Sequence, residues 1–114
     1  MTDKPKETQD VTLSIDLPDV FTVAMYETFH QAQQQYVASV PEGQVASTLL
    51  MRYHGSLALI RAGFVHVRGP ERLVKLVKQE PSDTTPLAVV GIIAREIAGA
   101  VDREVSRPLD SLPE

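Results

Sequence analysis

The sequence predicts a mainly α fold: a small helical domain of three main helices, with one N-terminal β-strand and a candidate second short strand. Three observations carry this. Apolar residues recur at three- and four-residue steps over three long stretches, which is the helical period. A strict two-residue alternation covers residues 11–17, which is the strand period. Prolines and glycines stand between these stretches, where breaks belong. With 114 residues the chain suits a single modest core. The expected organisation is a flexible N-terminal tail over residues 1–10, one helical domain over 11–107, and a C-terminal tail over 108–114.

In residues 11–17, Val11, Leu13, Ile15 and Leu17 alternate with Thr12, Ser14 and Asp16, and Pro18 ends the ladder because it has no N–H to donate. A lone strand leaves its own backbone groups unpaired and needs a neighbour. Thr22 is placed to cap a first helix running to about Ser39, with Val23, Tyr26, Phe29, Tyr36, Val37 and Val40 as its apolar face. Pro41, Glu42 and Gly43 form a connector. A second helix is expected over residues 44–62, with Val45, Leu49, Leu50, Tyr53, Leu57 and Ile60 inward. Gly63 fits the left-handed position after a helix, with Phe64 folding back onto the last turn. The two helices therefore form an antiparallel pair.

Residues 64–68 (FVHVR) favour a short strand, which offers residues 11–17 a neighbour inside the chain; the alternative neighbour is a partner's strand. The following RLVKLVKQ suits a two-turn helix with Leu73, Val74 and Val77 inward, although its alternation fits a strand nearly as well.

The third main helix is the stretch the chain is organised around. Thr85 is placed as its cap, Pro86 suits the first helical position, and Pro108 forbids extension. Leu87, Val90, Ile93, Ile97, Val101 and Val105 make one stripe, and Ala88, Gly91, Ala94 and Ala98 make a nearly bare second one. A helical glycine costs roughly 0.5–1 kcal/mol against alanine. Gly91 and Gly99 therefore predict close backbone approach, either by a helix of the same domain or by a partner.

Composition narrows the classes. A hydrophobic share of 43% with 23% charged residues is globular rather than disordered. The absence of cysteine excludes disulfides, a thiol nucleophile and Cys-ligated metal. The polar N-terminus lacks the apolar run of a secretory signal, and the most apolar window is broken by Arg95 and Glu96. A soluble cytoplasmic protein is the resulting expectation. The net charge of −4 disfavours nucleic acid as a partner. Its distribution is uneven: residues 52–78 carry six basic side chains against Glu71 alone, between two acidic ends. That segregation suits self-association or a partner of mixed charge.

Chemistry-bearing motifs are sparse. His30, His54 and His66 have no metal-site spacing, and the sequence has no HExxH, GxSxG, SxxK or phosphate-binding loop. Asp102 and Glu104 are two apart on a helix and diverge. The sequence predicts no catalytic residue, no cofactor, no metal and no membrane partner; the expected protein is not an enzyme.

Two resemblances supply functional readings. The strand followed by Leu17-Pro18-Asp19 and a helix resembles ribbon-helix-helix DNA-binding proteins, whose outward strand residues read the major groove. Here those residues are Thr12, Ser14 and Asp16, without a basic group. The layout of the whole chain looks like the small tail assembly chaperones of long-tailed phages and prophages. That resemblance rests on Leu17-Pro18-Asp19-Val20-Phe21-Thr22, Tyr53-His54-Gly55-Ser56-Leu57 and Pro86-Leu87-Ala88-Val89-Val90. It implies a non-enzymatic protein that binds the tape-measure protein during tail assembly and keeps it soluble, with the tail-tube protein as a further candidate partner and a homo-oligomer as a candidate state. A self-associating phage scaffold is a third reading. The expected contact residues are Val11, Leu13, Ile15 and Leu17 on the strand and Ala88, Gly91, Ala94 and Ala98 on the last helix; the other reading of both patches is that the domain's own core consumes them.

Overall fold

Two capped helices packed side by side form the first half of the domain. The structure is a computed structural model and describes residues 13–113. Helix α1 (Val23–Ser39) starts where the sequence places it, with Thr22 Oγ1 accepting from the Met25 N–H at 3.4 Å. Helix α2 (Thr48–Arg61) starts four residues later than residue 44, because the capping chemistry lies at Ser47. Its Oγ accepts from the Leu50 N–H at 3.1 Å, and its own N–H donates to the Tyr36 hydroxyl at 3.2 Å. Between the helices, Gly43 takes a positive φ of 89° in a turn closed by the Gln44 N–H on the Pro41 carbonyl. Val45, expected inward, is 95% exposed in this connector.

The α1–α2 seam is antiparallel: Tyr36, late in α1, meets Ser47 at the start of α2, while Phe29, earlier in α1, meets Gly55 further along. Its inward face on α1 is Met25, Phe29, Gln33 and Tyr36. This corrects the predicted face, since Val23, Tyr26 and Val37 are exposed. The α2 stripe of Tyr53, Leu57 and Ile60 is buried as expected.

Gly63 ends α2 with φ 88°, the Phe64 N–H bonding the Leu59 carbonyl and the Gly63 N–H the Ile60 carbonyl. Chain reversal there leads into strand β2 (His66–Arg68), which pairs antiparallel with β1 (Ser14–Asp16) in the register Ser14–Arg68, Ile15–Val67, Asp16–His66. The expected strand thus finds its neighbour inside the chain, over three residues; Val11 and Thr12 lie outside the described residues. Ile15 and Val67 pack on the core from one face of this ribbon. On the other, Arg68 donates twice to Asp16, at 2.9 and 3.1 Å, and this holds the Asp16 carboxyl below the usual carboxylate range. Helix α3 (Glu71–Lys78) then buries Leu73 and Val77 and leaves its lysines in water.

The last helical run is α4 (Leu87–Ile93), a π-helical turn over Ala94–Ala98, and α5 (Gly99–Val105), with right-handed helical backbone through both junctions. Pro86 is the capping position and Leu87 the first helical residue. Thr85 does not cap this helix: its Oγ1 accepts from the Ser82 N–H at 2.9 Å and closes the preceding turn. The π-turn has a cause legible in the burial. The buried positions step by four, Val89–Ile93–Ile97 and Val90–Ala94–Ala98. In an α-helix each such step over-rotates by roughly 40°. One wide turn absorbs the excess and returns both halves to the core. Leu87 and Val105, at the two ends of the predicted stripe, are 71% and 73% exposed.

Close backbone approach occurs at a different glycine from those predicted. A Cβ on Gly91 would meet nothing within 4 Å, and one on Gly99 only the Arg103 guanidinium at 3.5 Å. A Cβ on Gly55 would lie 2.7 Å from the Phe29 ring and 3.0 Å from Gln33 Cγ. Gly55 lets α1 and α2 touch.

Candidate protein-binding surface

Apolar surface left in water gathers where the start of α1 meets the end of α5. A groove of about 210 Å³ lies there, with Phe21, Tyr26 and Val101 among its walls, Glu104 at its edge, and Val23 and Val105 on its two lips. Val23 is 74% exposed, so both lips project outward. Local chemistry fixes the groove. Glu104 Oε2 accepts from the Phe21 N–H at 3.1 Å, pinning the chain just before the Thr22 cap to α5. Arg107 holds Glu104 at 3.0 Å, donates to the Asp19 carbonyl at 2.8 Å, and grips Ser111 through its hydroxyl and carbonyl. The ordered segment after Pro108, a 3-10 turn at Leu109–Ser111, is a consequence of that grip; the sequence predicts a loose tail there.

A second cleft, about 550 Å³ and polar, lies between α1 and α2, lined by Tyr36, His54, Arg61 and Glu80 among others. His54 stacks on Tyr36 with centroids 4.9 Å apart. Burial pushes the His54 imidazole below its ordinary range, with Glu80 opposing and Arg61 adding to that shift. Arg61 ties the following connector down by donating to Glu80 at 3.1 Å and to the Gln79 carbonyl at 2.8 Å. Elsewhere, His30 is exposed and stacks on Tyr26, and His66 is exposed on β2. Tyr53 is fully buried, and its hydroxyl has no hydrogen-bond partner among the described residues. Burial raises its pKa, with Arg61 a smaller opposing influence. No group of three His, Asp or Glu side chains converges on a metal-sized site among the described residues, and no helix there is long and apolar enough to cross a membrane.

The predicted contact residues part company. Ala94 and Ala98 are in the core, and Leu13 and Ile15 pack against it. Leu17 and Ala88 are exposed, and Gly91 is half-buried. Val11 lies outside the described residues. The small-residue stripe is therefore not one surface: its second half is used by the domain itself. Periodicity alone places Val23, Tyr26 and Val105 in apolar stripes. A signal against that assignment was present, since Met25, Phe29, Ala32 and Tyr36 form an alternative stripe one register over.

Comparison with family models, with curated proteins and with solved structures finds no match to this chain. What fold and surface define is a small mainly helical domain carrying an apolar groove at its joined ends.

Proposed function

We propose that this chain is a non-enzymatic tail assembly chaperone of the long-tailed phage type, which binds the tape-measure protein and keeps it soluble during tail assembly in the host cytoplasm. The observation that carries the reading is the groove between α1 and α5 with its outward valines. A holder of helical clients needs exposed apolar area on a rigid frame, and contiguous apolar surface is what marks interaction sites. Glu104, the one acidic group of the groove, is engaged by the Phe21 N–H and Arg107, a positioning arrangement. Pairing of β1 with β2 of the same chain, with Ser14 and Asp16 outward, favours protein over DNA as the partner. Contact with the tail-tube protein and self-association belong to the same reading.

Co-expression tests it. A tape-measure segment produced with the wild-type chain should stay soluble at several times the level seen alone. The double variant Val23→Asp/Val105→Asp should lose that gain while keeping its helical circular dichroism. Equal client solubility with and without the chain would end the proposal.

A further inference from the structure

We infer that the α1–α5 groove selects one class of partner: an amphipathic helix whose apolar residues are flanked by lysine or arginine. The inference rests on the protein-binding reading above and deepens it. Size comes first. At about 210 Å³ the groove is below the roughly 300–1,000 Å³ of small-molecule sites, so it suits side chains of a polypeptide. Backbone chemistry comes second. The walls are helix and cap; the Phe21 N–H is bound by Glu104 and the Met25 N–H by Thr22. The groove therefore offers no strand edge for an extended peptide, and an occupant must pack through side chains, as a helix face does.

Charge comes third and decides the flank. Beside the groove's walls in the chain stand five carboxylates, Asp19, Glu27, Asp102, Glu104 and Asp110, against Arg103 and Arg107, with Arg52 joined through its ion pair to Asp102. Arg107 is committed to Glu104 and Arg52 to Asp102. Glu27 is the only charged residue of α1; it is exposed and lies one helical turn from Val23, on the same lip. An excess of carboxylates flanking an apolar floor attracts cationic flanks and disfavours anionic ones, acting on specificity and association rate.

The test uses the full chain and two fluorescein-labelled designed helical peptides of about 18 residues. Both carry leucine at i, i+3, i+4 and i+7; one is flanked by lysine and the other by glutamate. Fluorescence anisotropy at low salt should give at least tenfold tighter binding of the lysine peptide, with the preference shrinking at 0.5 M salt, where screening shortens to a few ångströms. Glu27→Lys should cut the preference several-fold, and either Val105→Asp or Val23→Asp should weaken both peptides. Equal binding of the two peptides, or binding indifferent to both valine variants, would overturn the inference. So would sedimentation showing a dimer of the chain that Val105→Asp dissociates, since the groove would then be taken by a second copy. Failure of both peptides alongside a client kept soluble in co-expression would remove this inference and leave the broader reading standing; failure of co-expression alone would do the reverse.

Discussion

Helix α2 sits between two seams made in opposite ways. Toward α1 it removes a side chain: Gly55 admits the Phe29 ring, and the rest of that seam is partly polar, with the Tyr36–His54 stack and the Tyr36–Ser47 hydrogen bond. Toward the last helical run the buried contact is aliphatic, with the Arg52–Asp102 ion pair at its exposed edge, and the backbone gives way instead, with the π-turn at Ala94–Ala98 realigning two valine-, isoleucine- and alanine-rich halves. One seam is a matter of volume at a single residue, the other of phase along a helix. They should therefore fail under different changes.

The phase account makes the largest prediction. Adding one alanine after Arg95 puts the halves a further 100° out of register and turns two buried valines outward, at about 1.5–3 kcal/mol each. Removing Arg95, which is exposed, should convert the π-turn to α-helix with both buried faces retained. Thermal unfolding should then show a large loss for the insertion and a midpoint within a few degrees of wild type for the deletion; equal losses would break the phase argument. Next is volume. Gly55→Val should cost roughly 3 kcal/mol, from overpacking against Phe29 and a poorer helix former. Urea unfolding measures it, and a cost under about 1 kcal/mol would mean that the α1–α2 seam has slack.

Smaller effects sharpen the contrast. Tyr53→Phe removes a buried hydroxyl without a partner and should stabilise by about 1 kcal/mol, since leaving such a group unpaired costs about 1–3. Gly91→Ala should also stabilise, by roughly 0.5–1 kcal/mol, because the new methyl group meets open space. Any destabilisation there would restore the close approach that the sequence suggested. The smallest effect is the pH response of the polar seam. The folded state holds His54 below its ordinary pKa, so the unfolded chain binds more protons over that window. Stability should be flat above about pH 6.5 and fall as pH drops below it. His54→Gln should remove that part of the slope in a pH series of urea midpoints.

Local chemistry was the legible part of this fold. Thr22, Gly63 and the alternation around Ile15 each announce a cap, a helix end and a strand through one residue's own preferences, and each stands where the sequence puts it. What the sequence concealed depends on rotation about an axis. Val23 and Tyr26 fit an apolar stripe as well as Met25 and Phe29 do, and only the partner helix decides between them. Gly55 and Gly91 read alike in sequence, yet one is a contact and the other a gap. The candidate surface was hidden for the same reason, since a valine in an apolar stripe looks inward until the helix is placed. Ala94 and Ala98, read as surface, are core because the π-turn carries them there.

The absence of cysteine makes the decisive measurement simple, because a single introduced thiol is the only one in the chain. Val105→Cys and Ala88→Cys place that thiol on the groove lip and on the exposed start of the small-residue stripe. With a co-expressed tape-measure segment and a thiol-to-amine crosslinker, the account predicts a client adduct from Val105→Cys and little from Ala88→Cys. An adduct formed mainly through Ala88→Cys would contradict it.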